Sequence, residues 1–205
     1  MTITPVTFTL IFANVAITLW TWYSRYNYFD RFAEWPYQII YEKKFYQALT
    51  SAFLHADWMH LLFNMFTFFS FGSVLERLFV ANFGQTTGSL YVFLIYFVSL
   101  FSGSILTVIL NYRNPSYVAV GASGAVSGIV FSYILFFPMS TVGVFFIPMP
   151  AFLFAFLYVG VSIYGMKSKF GNIGHEAHLG GAIGGVISTF LLVEGSFRYF
   201  LSHFS

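Results

Sequence analysis

The 205-residue chain is 58% hydrophobic and 23% aromatic, with only 8% charged residues and a net charge of +2. So few charges cannot cover a soluble domain, which carries about 25%, and a charge of +2 without a basic stripe excludes nucleic-acid binding. The absence of cysteine excludes disulfides, thiolate metal sites and cysteine nucleophiles.

An integral membrane protein remains, whose spans each need about 20 mostly apolar residues. Six segments meet or approach that length: residues 4–23, 58–80, 89–110, 123–137, 142–164 and 176–193. The expected fold class is all-α, a polytopic membrane bundle of six transmembrane helices forming a single domain over residues 1–205. Barrel-type alternation is missing, and open strands do not survive in lipid. The first apolar run lacks the basic region of a cleavable signal peptide and is expected to be a retained span.

Residues 24–57 form the one long connection. Arg25, Asp30, Arg31, Glu34, Glu42, Lys43 and Lys44 alternate there with Trp35, Tyr37, Tyr41, Phe45 and Tyr46. Charges interleaved with Trp and Tyr suit a segment lying in the membrane interface. The second span opens with His60 and Asn64, four apart and so on one helix face. Glu76 and Arg77 near its far end are expected to anchor it, and His55 just before it to order the loop.

The fourth span is short. From Ser123 to the residue before Pro138 it reaches roughly 22 Å, too little to cross the bilayer. It follows the polar stretch Asn111-Tyr112-Arg113-Asn114-Pro115-Ser116 and opens with Gly121-Ala122-Ser123-Gly124. Irregular backbone at membrane depth is tolerated only beside protein or a water-filled cavity, so this start points to a buried polar chamber. The sixth span carries His175, Glu176 and His178. Glu176 points to a different side from His178, whereas His175 shares its face and is expected to support it.

His60, Asn64, Ser123 and His178 all lie in the opening turns of even-numbered spans, which cross in the same direction. They therefore share one side and one depth. Gly124 with Gly128 and Gly181 with Gly185 are spaced as GxxxG, with Gly180 and Gly184 overlapping the second pair, and small residues at this spacing let membrane helices meet closely. Such packing predicts Ser123 within reach of His178. The imidazole is then the base that activates the hydroxyl, while the Ser123 amide, Asn64 and His60 offer donors to an oxyanion. Other serines, such as Ser70, Ser99 and Ser132, are expected to bond their own backbone.

His60-x-x-x-Asn64, Gly121-Ala122-Ser123-Gly124 and Ala177-His178-x-x-Gly181-x-x-x-Gly185 together resemble the rhomboid proteases. The resemblance covers the core from the interfacial loop to the end of the chain. It implies a rhomboid-like fold and a Ser123–His178 dyad without a third acid. An oxyanion and substrate-binding site would come from His60, Asn64, Gly121 and Ala122. It further implies transmembrane protein substrates, work in a lipid bilayer, no nucleic acid, and no metal or organic cofactor.

Two departures stand out. Tyr46-Gln47 occupies a loop position where many bacterial members carry Trp-Arg, and Ser127 stands where some members place a Tyr that stacks on the base. Something else must then orient His178, with the Ser127 hydroxyl one candidate. The family orientation implies a cytoplasmic N-terminus in a bacterial inner membrane. The positive-inside rule opposes it, because Arg25, Arg31, Lys43, Lys44, Arg113, Lys167 and Lys169 share the active-site face while only Arg77 and Arg198 lie opposite. Three other readings compete. An inactive rhomboid-like client binder usually lacks the dyad. A metalloprotease is opposed by the spacing of His175 and His178, which is not that of HExxH. A transporter would show repeated halves or a charged pore.

Overall fold

A computed structural model describes residues 4–144, 147–168 and 174–204, so Lys169 lies outside the described residues. The elements are helices α1 (Pro5–Tyr23), α2 (Tyr28–Phe32), α3 (Pro36–Tyr41), α4 (Gln47–Thr50), a 3₁₀ turn (Ser51–Phe53), α5 (Trp58–Phe83), α6 (Gln85–Asn111) and α7 (Ser123–Phe136). A hairpin of β1 (Thr141–Val144) and β2 (Ile147–Pro150) follows, then α8 (Ala151–Ser168), α9 (His175–Leu192) and α10 (Ser196–Leu201). Among the described residues, four helices, α1, α5, α6 and α8, are long and apolar enough to cross a membrane.

The predicted fifth span requires correction. Residues 141–150 pair as an antiparallel hairpin with Thr141 opposite Pro150 and Gly143 opposite Pro148, and the helix starts at Ala151. Pro148 and Pro150 lack the N–H that a helix interior needs, while Thr141 and Val142 favour extended backbone. The all-α expectation thus holds apart from this two-stranded ribbon.

The short helix α7 is central. Twelve of its 14 residues are buried, so its neighbours, more than lipid, surround it. Glycine sets how close those neighbours come. A Cβ on Gly181 would fall within the Gly124 carbonyl, and one on Gly185 within the backbone of Gly128. The overlapping pair serves a different partner: a Cβ on Gly180 would lie 2.6 Å from the Ser102 carbonyl oxygen, and one on Gly184 2.6 Å from Ser102 Oγ. The Gly181/Gly185 stripe therefore faces α7 and the Gly180/Gly184 stripe faces α6. Ser132 Oγ also bonds Thr189 Oγ1 across to α9 at 2.7 Å, contrary to the expectation that it bonds its own helix. Ser70 and Ser99 do bond the carbonyls of Phe66 and Ile95.

At the other end of the molecule, Glu76 fixes α1. Its buried carboxylate accepts from Val6 N, Thr7 N, Thr7 Oγ1 and Ser89 Oγ at 2.7–3.1 Å. These are the unpaired amides of a helix start, so the carboxylate both caps and ties α1 to α5 and α6. The chain start consequently lies at the end of α5 remote from His60.

Candidate active site

Ser123 is the first residue of α7, and the turn before it is built by glycine and by the long loop. Gly121 has φ +118, a conformation that disfavours side chains, and a Cβ there would lie 2.6 Å from His60 Cε1. Its N–H donates to the Ser51 carbonyl at 2.9 Å, and Glu34 and Ala119 exchange backbone bonds of 2.9 and 3.0 Å. The interfacial loop thus clamps the strand-like approach to the nucleophile position from two sides. The N–H groups of Ser123, Gly124 and Ala125 precede the first intrahelical donor, Val126 N, leaving donors at the positive end of α7.

Asp57 caps α5 by accepting from His60 N at 2.8 Å. This places His60 third in the helix and Asn64 seventh, one turn deeper than His60. Asn64 is buried and gives one amide hydrogen to the His60 carbonyl at 2.9 Å, leaving the other for a ligand. The ring of His55 meets that of His60 edge-on at 5.0 Å. His55 is itself fully buried, bonded through Nδ1 to Thr18 Oγ1 at 2.9 Å, and its carbonyl accepts from Trp22 Nε1 at 2.8 Å. Burial, with His60 and Asp57 as lesser and opposing influences, lowers its pKa to about 3. It is a neutral brace between α1 and His60.

His178 is the fourth residue of α9 and half-buried. The backbones that carry Ser123 and His178 touch: a Cβ on Gly124 would lie 3.1 Å from the carbonyl of Ala177. Among the described residues, Ser123 Oγ and His178 are not hydrogen-bonded to each other.

The expected orienter of His178 needs correction. Ser127 Oγ donates to the Ser123 carbonyl at 2.6 Å and also bonds the Tyr158 hydroxyl, so it does not hold the imidazole. The ring of Tyr158, from α8, lies against it instead, stacked on His178 with centroids 5.9 Å apart and planes 25° apart. Sequence reasoning passed over Tyr158. The available signal was a phenol hydroxyl in mid-span, which needs a polar partner. His175 lies beside His178, ring centroids 6.3 Å apart. Glu176 points away and accepts from Tyr117 Oη at 3.3 Å.

Tyr46-Gln47 does anchor the loop. Gln47 is fully buried, donates to Gln38 Oε1 at 2.9 Å and to the Arg31 carbonyl at 3.3 Å, and accepts from Trp35 N. Tyr46 Oη also reaches the Arg31 carbonyl. Beneath the loop, Glu34, Ser51, Ser104, Gly121, Gly124 and Ala177 line a cavity of about 20 Å³, room for one water. Glu34 is buried there and accepts from Ser104 Oγ at 2.5 Å. Burial raises its carboxyl to about 8, the Ser104 bond pulling weakly the other way.

Residues 42–195 match the sequence model of the Rhomboid domain family. The chain is 31% identical to RHOMBOID-like protein 12, mitochondrial, of Arabidopsis thaliana over 172 residues, covering 76% of this chain and 49% of that protein. It is 32% identical to Putative rhomboid protease YdcA of Bacillus subtilis over 153 residues, 74% of this chain and 69% of that protein. Against Rhomboid protease GlpG of Haemophilus influenzae the identity is 26% over 152 residues, 73% and 71% of the two chains. The chain spans about half the length of the Arabidopsis protein. Because these relatives are bacterial and mitochondrial alike, they do not support the expected bacterial inner membrane over another membrane. The matched domain and the apolar helices together establish that this chain is an integral membrane protein of the rhomboid family.

Proposed function

We propose that the chain is an intramembrane serine protease that cuts transmembrane segments of other membrane proteins. In this reading α7 and α9 join the four long apolar helices to make six spans in one domain, with the N-terminus on the side opposite the site. His178 takes the Ser123 hydroxyl proton as Oγ attacks the scissile carbonyl carbon. The oxyanion is met by the Ser123 amide, the free Asn64 amide hydrogen and His60. Collapse expels the amine, which receives the proton from His178. Water then gives a proton to His178 as its oxygen attacks the acyl carbon, and collapse breaks the bond to Ser123 Oγ, which takes the proton back from His178 as the new carboxyl end leaves.

One observation carries this reading: the glycine contacts between α7 and α9 fall on the residues that adjoin Ser123 and His178. The absence of a Ser123–His178 hydrogen bond favours the alternative, a family member that holds client helices without cutting them. The test is labelling of the purified protein by a fluorophosphonate probe, followed by cleavage of a reconstituted transmembrane substrate. Protease activity requires labelling that is lost in Ser123→Ala and in His178→Ala. A folded protein that neither labels nor cleaves in lipid is a client binder.

A further inference from the structure

We propose that Tyr158 is a positioning residue for His178, so that the base is oriented only while α8 stays seated against α7 and α9. The proposal rests on the protease reading above. Tyr158 makes two contacts of different kinds. Its ring stacks on the imidazole, which restricts rotation of His178, and its hydroxyl is bonded by Ser127, whose Oγ also holds the Ser123 carbonyl. The first turn of α7, the middle of α8 and the first turn of α9 are therefore joined through one side chain. Phe131 and Phe154 flank the Tyr158 ring at 5.4 and 5.5 Å and limit where it can turn.

The helix that delivers this ring is loosely held. Only 17% of the apolar stretch of α8 is buried, against 44% for α6. Below Tyr158, an apolar cleft of about 180 Å³ separates it from α9, lined by Val159, Phe131, Ala182, Ile183 and Val186. Toward the active-site end, Gly165 packs on the His175 ring, which occupies the place a Cβ would take. Both histidines of α9 thus face α8, at glycine and at tyrosine. The ring that stacks on His178 is therefore carried by a helix with few buried residues of its own.

The experiment measures inactivation of the full chain in lipid by a fluorophosphonate, separating its maximal rate from its apparent affinity. Tyr158→Leu is expected to lower the maximal rate by roughly tenfold or more, the scale of a misoriented catalytic group, with affinity little changed. Tyr158→Phe keeps the ring and is expected to fall between. Gly165→Ala, which pushes α8 off His175, is expected to reproduce the Tyr158→Leu defect. Ser127→Tyr, which brings a ring from α7 into the space vacated by Tyr158→Leu, is expected to restore rate in that background. Unaltered maximal rates in folded Tyr158→Leu would overturn the positioning role while leaving the protease reading intact. Rate loss that Ser127→Tyr cannot restore would make Tyr158 a packing residue. A wild-type protein that never labels would overturn both.

Discussion

Gly181→Ala tests the close approach that sets the spacing of Ser123 and His178, the dyad of the protease reading. The new methyl carbon would lie 2.9 Å from the α-carbon of Gly124 and nearer still to its carbonyl oxygen, whereas ordinary van der Waals separation begins at 3.4 Å. Clearing the carbonyl oxygen, the nearest atom, moves α9 from α7 by about an ångström or more, and backbone on both sides leaves no flexible side chain to yield. Gly124 adjoins Ser123, and His178 lies three residues from Gly181, so the shift passes directly to the reacting pair. An ångström of misplacement costs about 10²-fold, so kcat is expected to fall by roughly that factor, together with about 1–3 kcal/mol of overpacking strain. Cleavage of a reconstituted substrate and thermal unfolding in detergent measure the two effects. Gly160→Ala on α8 is the control, since a Cβ there meets nothing within 4 Å and alanine favours the helix. A folded Gly181→Ala protein cleaving within about twofold of wild type would refute the claim that this close approach positions the dyad.

Three further outcomes are expected. Asn64→Ala should slow turnover by about tenfold or more with substrate affinity kept, as loss of an oxyanion donor does; steady-state cleavage kinetics check this. Glu76→Gln puts an amide group where two backbone N–H donors of α1 converge, so at least one is orphaned and stability falls by about 1–3 kcal/mol, read by thermal melts. Glu34, with its carboxyl held up to about 8, binds its proton more tightly folded than unfolded. Its contribution to stability is therefore full below about 4.5 and is lost as pH rises toward 8. Glu34→Gln should flatten the decline of melting temperature across that window. His55, lowered to about 3, acts in the opposite sense, its contribution being lost as pH falls below about 6.5.

The sequence was enough for the membrane class and for most helix positions, and it singled out Ser123, His178, His60 and Asn64 as candidates. Long apolar runs have one stable form in lipid, and polar groups within them stand out because each is costly there. Glycine spacing also foretold that α9 meets a neighbour closely, since a missing side chain is visible in sequence. Tertiary structure alone decided which stripe meets which helix: Gly181 and Gly185 face α7 while Gly180 and Gly184 face α6. One residue of helical rotation separates the stripes, and periodicity does not name the partner. The hairpin at residues 141–150 escaped because apolar composition is the same for a strand and a helix, although Pro148 and Pro150 argued against the latter. Tyr158 escaped for a deeper reason. Its ring stacking on His178 joins α8 to α9 and its hydroxyl bond joins α8 to α7, and such meetings between helices depend on how each is turned about its own axis. Only packing of the assembled bundle sets that angle.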